Sequence, residues 1–287
     1  MDTALIFEGG GMRASNTAGV VLTLLENGIN FKDVYGISAG SSHTVNYISR
    51  DALRARESFV DFIVRPHVAG VKEFLMGHGY FNAHYIYEVS GHANGIMPFD
   101  FDTFMENPAD MHIDAFCLDT GETVHWSKAD TPTLDALMTR VRASSTMPKI
   151  MPAVHLNGHT YLDGGLGDSW GIPLEQAKSD GYERFFIVRT QERTYRKQPA
   201  THTGVMRLLF AGHAIVADRT RERPAHYNAI CDEIEELERS GAACVYYPEH
   251  MTVKNTTVDL PALQEAYKLG YEQSCQEVGK WKEFLNL

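Results

Sequence analysis

The sequence has no apolar run long enough to span a bilayer, which takes about 20 consecutive residues. It has no block of Lys or Arg, and 26 basic against 37 acidic residues leave a formal net charge of −11. That balance argues against nucleic acid and against a polybasic membrane anchor. Cysteine is scarce: Cys117, Cys231, Cys244 and Cys275 are scattered without a C-x-x-C pair, so buried reduced thiols are expected. The opening Met1-Asp2-Thr3 lacks the basic stretch of a secretory signal. Internal repeats, low-complexity tracts and linkers are also missing. These absences point to a soluble, cytoplasmic chain folded as one domain over residues 1–287.

Apolar residues make up 44% of the chain, enough for a large core. Ala4-Leu5-Ile6-Phe7 reads as a buried strand that ends in Gly9-Gly10-Gly11. Ala14, Ala18, Val21, Leu22 and Leu25 then recur at helical spacing, and Gly28 stops the helix. Asp33-Val34-Tyr35 begins a second strand, followed by a helix over about residues 39–49. Strand, helix, strand, helix implies an α/β fold with a parallel sheet, and places both glycine-rich turns at strand carboxyl ends. Residues 51–67 read as one amphipathic helix. Residues 69–107 are rich in large apolar groups, Phe74 to Phe104 among them, without a clean period. They fit either a flap over an apolar substrate or an insertion packed on the domain, and packing is the more economical reading.

Two hairpins are expected further on, around Asp119-Thr120-Gly121 and Asn157-Gly158-His159, so the sheet is mixed. The second delivers Asp163-Gly164-Gly165 at a strand end. Phe185 to Val188 and Cys244 to Tyr247 read as later strands. Helical patterning dominates from Gly204 to Arg239, and Pro261 opens a last helix.

Gly36-Ile37-Ser38-Ala39-Gly40 fits the G-x-S-x-G elbow, in which a serine sits exposed on a tight strand-to-helix turn. Acyl transfer through serine needs a hydroxyl, a base and donors for the oxyanion. Ser38 is the candidate hydroxyl. Gly9-Gly10-Gly11-Met12-Arg13 supplies unobstructed backbone N–H groups, with the Gly10, Gly11 and Met12 donors as candidate oxyanion hole. Arg13 is either a charge for an anionic head group or an ordinary salt bridge. The same glycines fit a dinucleotide fingerprint, but no acid stands at the end of the next strand for the ribose. The base is open: a triad would draw on His202, His213, His226 or His250, whereas Asp163 lies at a strand end.

In this order and spacing, the three motifs resemble those of the patatin-like phospholipase family, over about residues 4–180. Ala143-Ser144-Ser145-Thr146-Met147-Pro148 resembles a further family block, while Glu8 stands where Asp is more usual and Ala14 where Gly is frequent. The resemblance implies a three-layer α/β/α sandwich with a mainly parallel central sheet, and a Ser38–Asp163 dyad without histidine. Gly9, Arg13, Gly36, Gly40, Gly164 and Gly165 would be its supporting residues. It also implies no metal, no cofactor, a lipid ester substrate and transient contact with a membrane surface. A small-ester or thioester hydrolase on the same machinery, a non-catalytic binding module and a dinucleotide binder are the alternatives. No motif marks the C-terminal part, about residues 200–287.

Overall fold

The computed structural model describes residues 2–199, 210 and 212–287. Its strands are β1 (Ala4–Phe7), β2 (Asp33–Gly36), β3 (Asp110–Cys117), β4 (Thr123–Trp126), β5 (Val154–Leu156), β6 (His159–Asp163), β7 (Phe185–Val188) and β8 (Ala243–Tyr246). All eight belong to one sheet. β3, β2, β1, β7 and β8 run parallel side by side. β4, β6 and β5 join antiparallel as the two hairpins.

The helices are α1 (Ala14–Glu26), α2 (Ala39–Ile48), α3 (Ala52–Phe59), α4 (Val71–Leu75), α5 (Phe101–Glu106), α6 (Leu134–Ser144), α7 (Leu174–Ser179), α8 (Ala214–Arg239) and α9 (Leu260–Leu285). Alternation along β1 sorts them into layers. Leu5 and Phe7 face a core shared with residues of α1, α2, α6 and α9. Ala4 and Ile6 face the opposite core, shared with α7 and α8. The result is a three-layer α/β/α sandwich. Trp281 of α9 is fully buried, edge-on to Phe186 of β7 at 5.2 Å. A side chain of that class stabilises the fold by about 1.5–3 kcal/mol on burial.

The register of β3 decides where the site forms. Ile113 pairs with both Gly36 of β2 and Trp126 of β4, and Ala115 with both Asp163 of β6 and Val124 of β4. Since β4 holds one edge of β3 across these positions, β2 and β6 must share the other. β2 runs parallel to β3 and β6 runs against it, so their carboxyl ends meet head to head. Ser38 and Asp163 stand at that junction.

Two expectations need correction. The helix begun at Ala52 ends at Phe59 rather than continuing to residue 67. There Ser58 returns its hydroxyl to the Arg54 carbonyl at 2.7 Å, a local bond that competes with the helical ladder. Cys117, Cys231 and Cys244 are buried free thiols, but Cys275 is exposed. It adjoins Ser274, which with Gly270 and Trp281 lies on the buried side of α9. Phe81, Met97, Phe99 and Phe104 are buried in the core, and no residue of 74–104 lines the cavity beside Ser38. From Phe81 on, the larger of these side chains pack on the domain, the reading preferred from the sequence, and the segment is not a flap over that cavity.

Candidate active site

The elbow is tight because two glycines permit close approach. A Cβ on Gly40 would overlap the Phe7 carbonyl at the end of β1, so glycine lets α2 start directly against that strand. Ser38, between β2 and α2, adopts φ 56° and ψ −125°, a strained conformation for a non-glycine residue. Its N–H donates to Ser144 Oγ at 3.0 Å, and Asp163 N–H donates to the Thr146 carbonyl at 2.8 Å. The segment after α6 therefore clamps both positions.

The half-buried Ser38 hydroxyl donates to Asp163 Oδ2 at 2.7 Å, while Gly165 N–H donates to Oδ1 at 2.8 Å. Burial pushes the Asp163 carboxyl above the ordinary carboxylate range. The Arg223 charge and the Ser38 and Gly165 hydrogen bonds oppose that rise without cancelling it. A carboxylate with a raised pKa is a stronger base than a solvated one.

The first glycine turn lies against the serine: a Cβ on Gly9 would stand 3.1 Å from Ser38 Cβ. Its donors are not equivalent. Gly9 N–H is spent on the Gly171 carbonyl, and Met12 N–H on the Asn255 carbonyl, both at 3.0 Å. Met12 is therefore not an available oxyanion donor, contrary to the sequence expectation. Among the described residues, neither the Gly10 nor the Gly11 N–H donates to a protein group. Gly11 sits at φ 55°, and a Cβ there would overlap the Asn255 carbonyl.

Glu8 anchors this turn from below. Buried beside the end of β1, it accepts from Arg189 Nε (2.8 Å), Thr190 N–H (2.7 Å) and Tyr227 Oη (2.6 Å). Burial alone would raise its pKa, but Arg189, Tyr227 and Thr190 outweigh it and lower the value. Glu8→Gln would leave the Arg189 charge uncompensated, so a loss of about 3–5 kcal/mol is expected in urea unfolding. Because the folded pKa is depressed, this contribution is full above the unfolded value of about 4.3 and is lost as pH falls through the folded one. Glu8→Met with Arg189→Leu should recover part of the loss. A single variant as stable as the parent would show that the pair contributes nothing.

The histidines fall elsewhere. His226 stacks on Trp170 at 4.4 Å, His213 immediately precedes α8, and His250 is exposed. None of the three lines the cavity, and His202 lies outside the described residues. His43, on α2, is buried against Thr17 and the Ala14 carbonyl, and burial pushes it down to about 4, so it stays neutral. Two groups of potential metal-ligating atoms, Cys117–Asp119–His159 and Asp33–Asp110–His112, likewise lie away from the cavity lining. Asp33 sits at the opposite end of β2 from the glycine turns, held by His112 and Tyr182, where no dinucleotide ribose could reach it from Gly9 to Gly11.

The cavity beside the serine has a volume of about 400 Å³. Ser38, Asp163, Gly10 and Gly11 all line it. The lining also includes residues outside every sequence motif: Tyr195, Lys197, Thr220, Arg223, Tyr227 and Asn255. The one faint cue was Arg223 and Tyr227, four apart on one face of α8. Arg13 also lines the cavity and has no ion pair among the described residues, so the salt-bridge alternative does not hold there. Such a site can present a hydroxyl, accept its proton and offer two unspent N–H groups.

A family model described as Patatin-like phospholipase matches residues 5–178. A second, described as Domain of unknown function (DUF6363), matches residues 213–286. The chain is 25% identical over 282 residues to the uncharacterized protein YjjU of Escherichia coli (strain K12), covering 93% of this chain and 74% of that one. Among solved structures it is similar to VipD from Legionella pneumophila, with a TM-score of 0.52 and 13% identity. That match covers 97% of this chain and 67% of VipD, and the likeness is one of fold.

Proposed function

Because the chain belongs to the patatin-like phospholipase family, we propose that it is a serine acyl hydrolase cleaving carboxyl esters of lipids, as a phospholipase A or lysophospholipase. Ser38 is the nucleophile, Asp163 the base, and the Gly10 and Gly11 N–H groups the oxyanion hole. The observation that carries this reading is the 2.7 Å bond from a strained serine hydroxyl to a buried carboxylate.

In the first half-reaction Ser38 Oγ attacks the ester carbonyl as its proton passes to Asp163 Oδ2. The carbonyl oxygen becomes an oxyanion and accepts from Gly10 and Gly11. Each such donor contributes about 2.7–4 kcal/mol to the transition state. The C–O bond then breaks, Asp163 returns the proton to the leaving alcohol, and an acyl-serine remains. Water, deprotonated by Asp163, repeats the sequence and frees the acid. The raised pKa of Asp163 supports this role, since one group must take and return a proton near neutral pH.

Contact with a lipid surface is supported by α4 and the residue after it, which expose Val71, Phe74, Leu75 and Met76. The segment just after it donates Tyr80 N–H to the carbonyl of Ile150, a cavity-lining residue, which ties that segment to the cavity wall. The volume of about 400 Å³ would also hold a small ester whole, which favours a small-ester hydrolase as the second reading.

A fluorophosphonate probe tests the proposal. It should form one covalent adduct, mapped by peptide mass spectrometry to Ser38, on protein that also hydrolyses p-nitrophenyl esters. An adduct on another residue would move the nucleophile. No adduct and no turnover on folded protein would favour a binding module.

A further inference from the structure

Three cations converge on the cavity from separate parts of the chain. Arg13 follows the oxyanion turn, Lys197 lies in the segment after β7, and Arg223 projects from α8. We propose that Arg13, Lys197 and Arg223 form a receptor for the phosphate of the substrate, making the enzyme selective for net-anionic phosphate-bearing acyl esters over zwitterionic and neutral ones. The inference rests on the hydrolase reading and adds to it a specificity device built outside the matched residues 5–178, save for Arg13.

The charges are not accounted for by internal partners. None of the three makes an ion pair with Asp or Glu among the described residues, although Arg and Lys elsewhere on the surface commonly do. Arg13 Nε is buried with no hydrogen-bond partner among the described residues, which is costly unless a ligand supplies one. Lys197 Nζ lies 4.0 Å from the Tyr227 ring centroid and 5.7 Å from that of Tyr195, between aromatic faces rather than beside a carboxylate. Among the described residues, the one hydrogen bond that Arg223 makes is long, 3.4 Å, from Nε to the Trp170 carbonyl.

Two carboxylates border the group. Glu8 is balanced by Arg189, while Asp163, whose other donors Ser38 and Gly165 are neutral, leaves one negative charge beside Arg223 against the three positive ones. A surplus of positive charge therefore stands in a cavity of a chain whose formal net charge is −11. Burial, with Arg223 and Arg13 nearby, pushes the Lys197 ammonium down to about 8. A bound anion would relieve that repulsion.

Position and size narrow the ligand. A Cβ on Gly165 would stand 2.6 Å from Arg223 Nη2 and 2.9 Å from Asp163 Oδ1, so the guanidinium adjoins the dyad. The anion must then lie only a few bonds from the scissile ester, as in an acyl ester of a phosphorylated polyol. A trimethylammonium group beyond the phosphate would find these cations and aromatic faces, but no unengaged carboxylate among the described cavity residues.

The test has a binding arm and a turnover arm. In the binding arm, calorimetry follows inorganic phosphate and glycerol 3-phosphate added to Ser38→Ala protein. Both should bind, and the single changes Arg13→Gln, Lys197→Met and Arg223→Gln should each weaken binding about tenfold or more, as expected for a charge-assisted hydrogen bond. Tighter binding of glycerol 3-phosphate than of inorganic phosphate would identify the polyol ester as the source. Equal binding would identify free phosphate alone and overturn the substrate assignment.

In the turnover arm, kcat/KM is compared for monoacyl phosphatidate, monoacyl phosphatidylcholine and monoacylglycerol of one short chain length. The anionic ester should lead by about tenfold or more, and the ratio should shrink in each variant that melts like the parent. Phosphate binding without any turnover would refute the hydrolase reading and leave the receptor. Turnover with equal rates on all three esters and no phosphate binding would refute the receptor and leave the hydrolase.

Discussion

Ser38→Ala is expected to lower kcat/KM on p-nitrophenyl esters by about 10⁴-fold or more, the scale on which removal of a serine nucleophile acts in other hydrolases. The loss should fall almost wholly on kcat, because the hydroxyl acts on the transition state rather than on ground-state binding. Fluorophosphonate labelling should disappear with it. The fold should not suffer: Ser38 Oγ makes its one hydrogen bond to Asp163, and the elbow is held by the Ser38 N–H to Ser144, which alanine keeps. Alanine does inherit φ 56°, so part of the backbone strain remains, and a thermal melt belongs beside the rate. A well-folded variant retaining a tenth of the parental rate would exclude Ser38 as nucleophile.

The strands at the centre of the sheet were legible because each is a short apolar run closed by glycine or a polar turn. Phe185 to Val188 is the clearest case, buried at every position. The hairpins were legible for a similar local reason. What local pattern does not carry is register between distant strands. Nothing in the residues of β3 announces that β2 and β6 share one of its edges, yet that sharing brings Ser38 to Asp163. The motifs suggested the meeting, and the pairing of Ile113 and Ala115 accounts for it.

The donors of the glycine turn show the same limit at finer grain. In the sequence, the N–H groups of Gly10, Gly11 and Met12 are equivalent. In the fold, the Asn255 carbonyl removes Met12 from the set, and Asn255 belongs to a segment without any motif. Arg13 was legible alone as a charge that could meet an anionic head group, but Lys197 and Arg223 each read as an ordinary solvated cation, so the group was illegible. Only the return of α8 and the segment after β7 across the carboxyl edge of the sheet brings them to one cavity. The aromatic residues near Phe99 left two readings open in the sequence, and the more economical one holds: Phe99 and Phe104 fill the core shared with α2.

Asp163→Asn should cost nearly as much rate as Ser38→Ala, because it keeps the size of the side chain and removes the basic oxygen. The double variant should be no slower than the worse single one, since both changes disable one proton-transfer unit. Alanine at His202, His213, His226 or His250 should each leave most of the activity. A Ser-His-Asp triad predicts instead that one well-folded histidine variant collapses like the serine variant. Two further signs separate a base from a structural acid. The active form carries ionised Asp163, so kcat/KM should fall as pH falls through a single ionisation above the ordinary carboxylate range. Arg223 opposes that rise, so Arg223→Gln should move the acid limb to still higher pH. Stability should run the other way. An acid whose folded pKa is raised destabilises the fold above that pKa, and the penalty vanishes below the unfolded value of about 3.9. Asp163→Asn should therefore melt at or above the parent at neutral pH, with the gain fading on acidification. A well-folded Asp163→Asn variant that keeps a tenth of the parental rate, a well-folded histidine variant that is dead, or an acid limb unmoved by Arg223→Gln would refute Asp163 as the base.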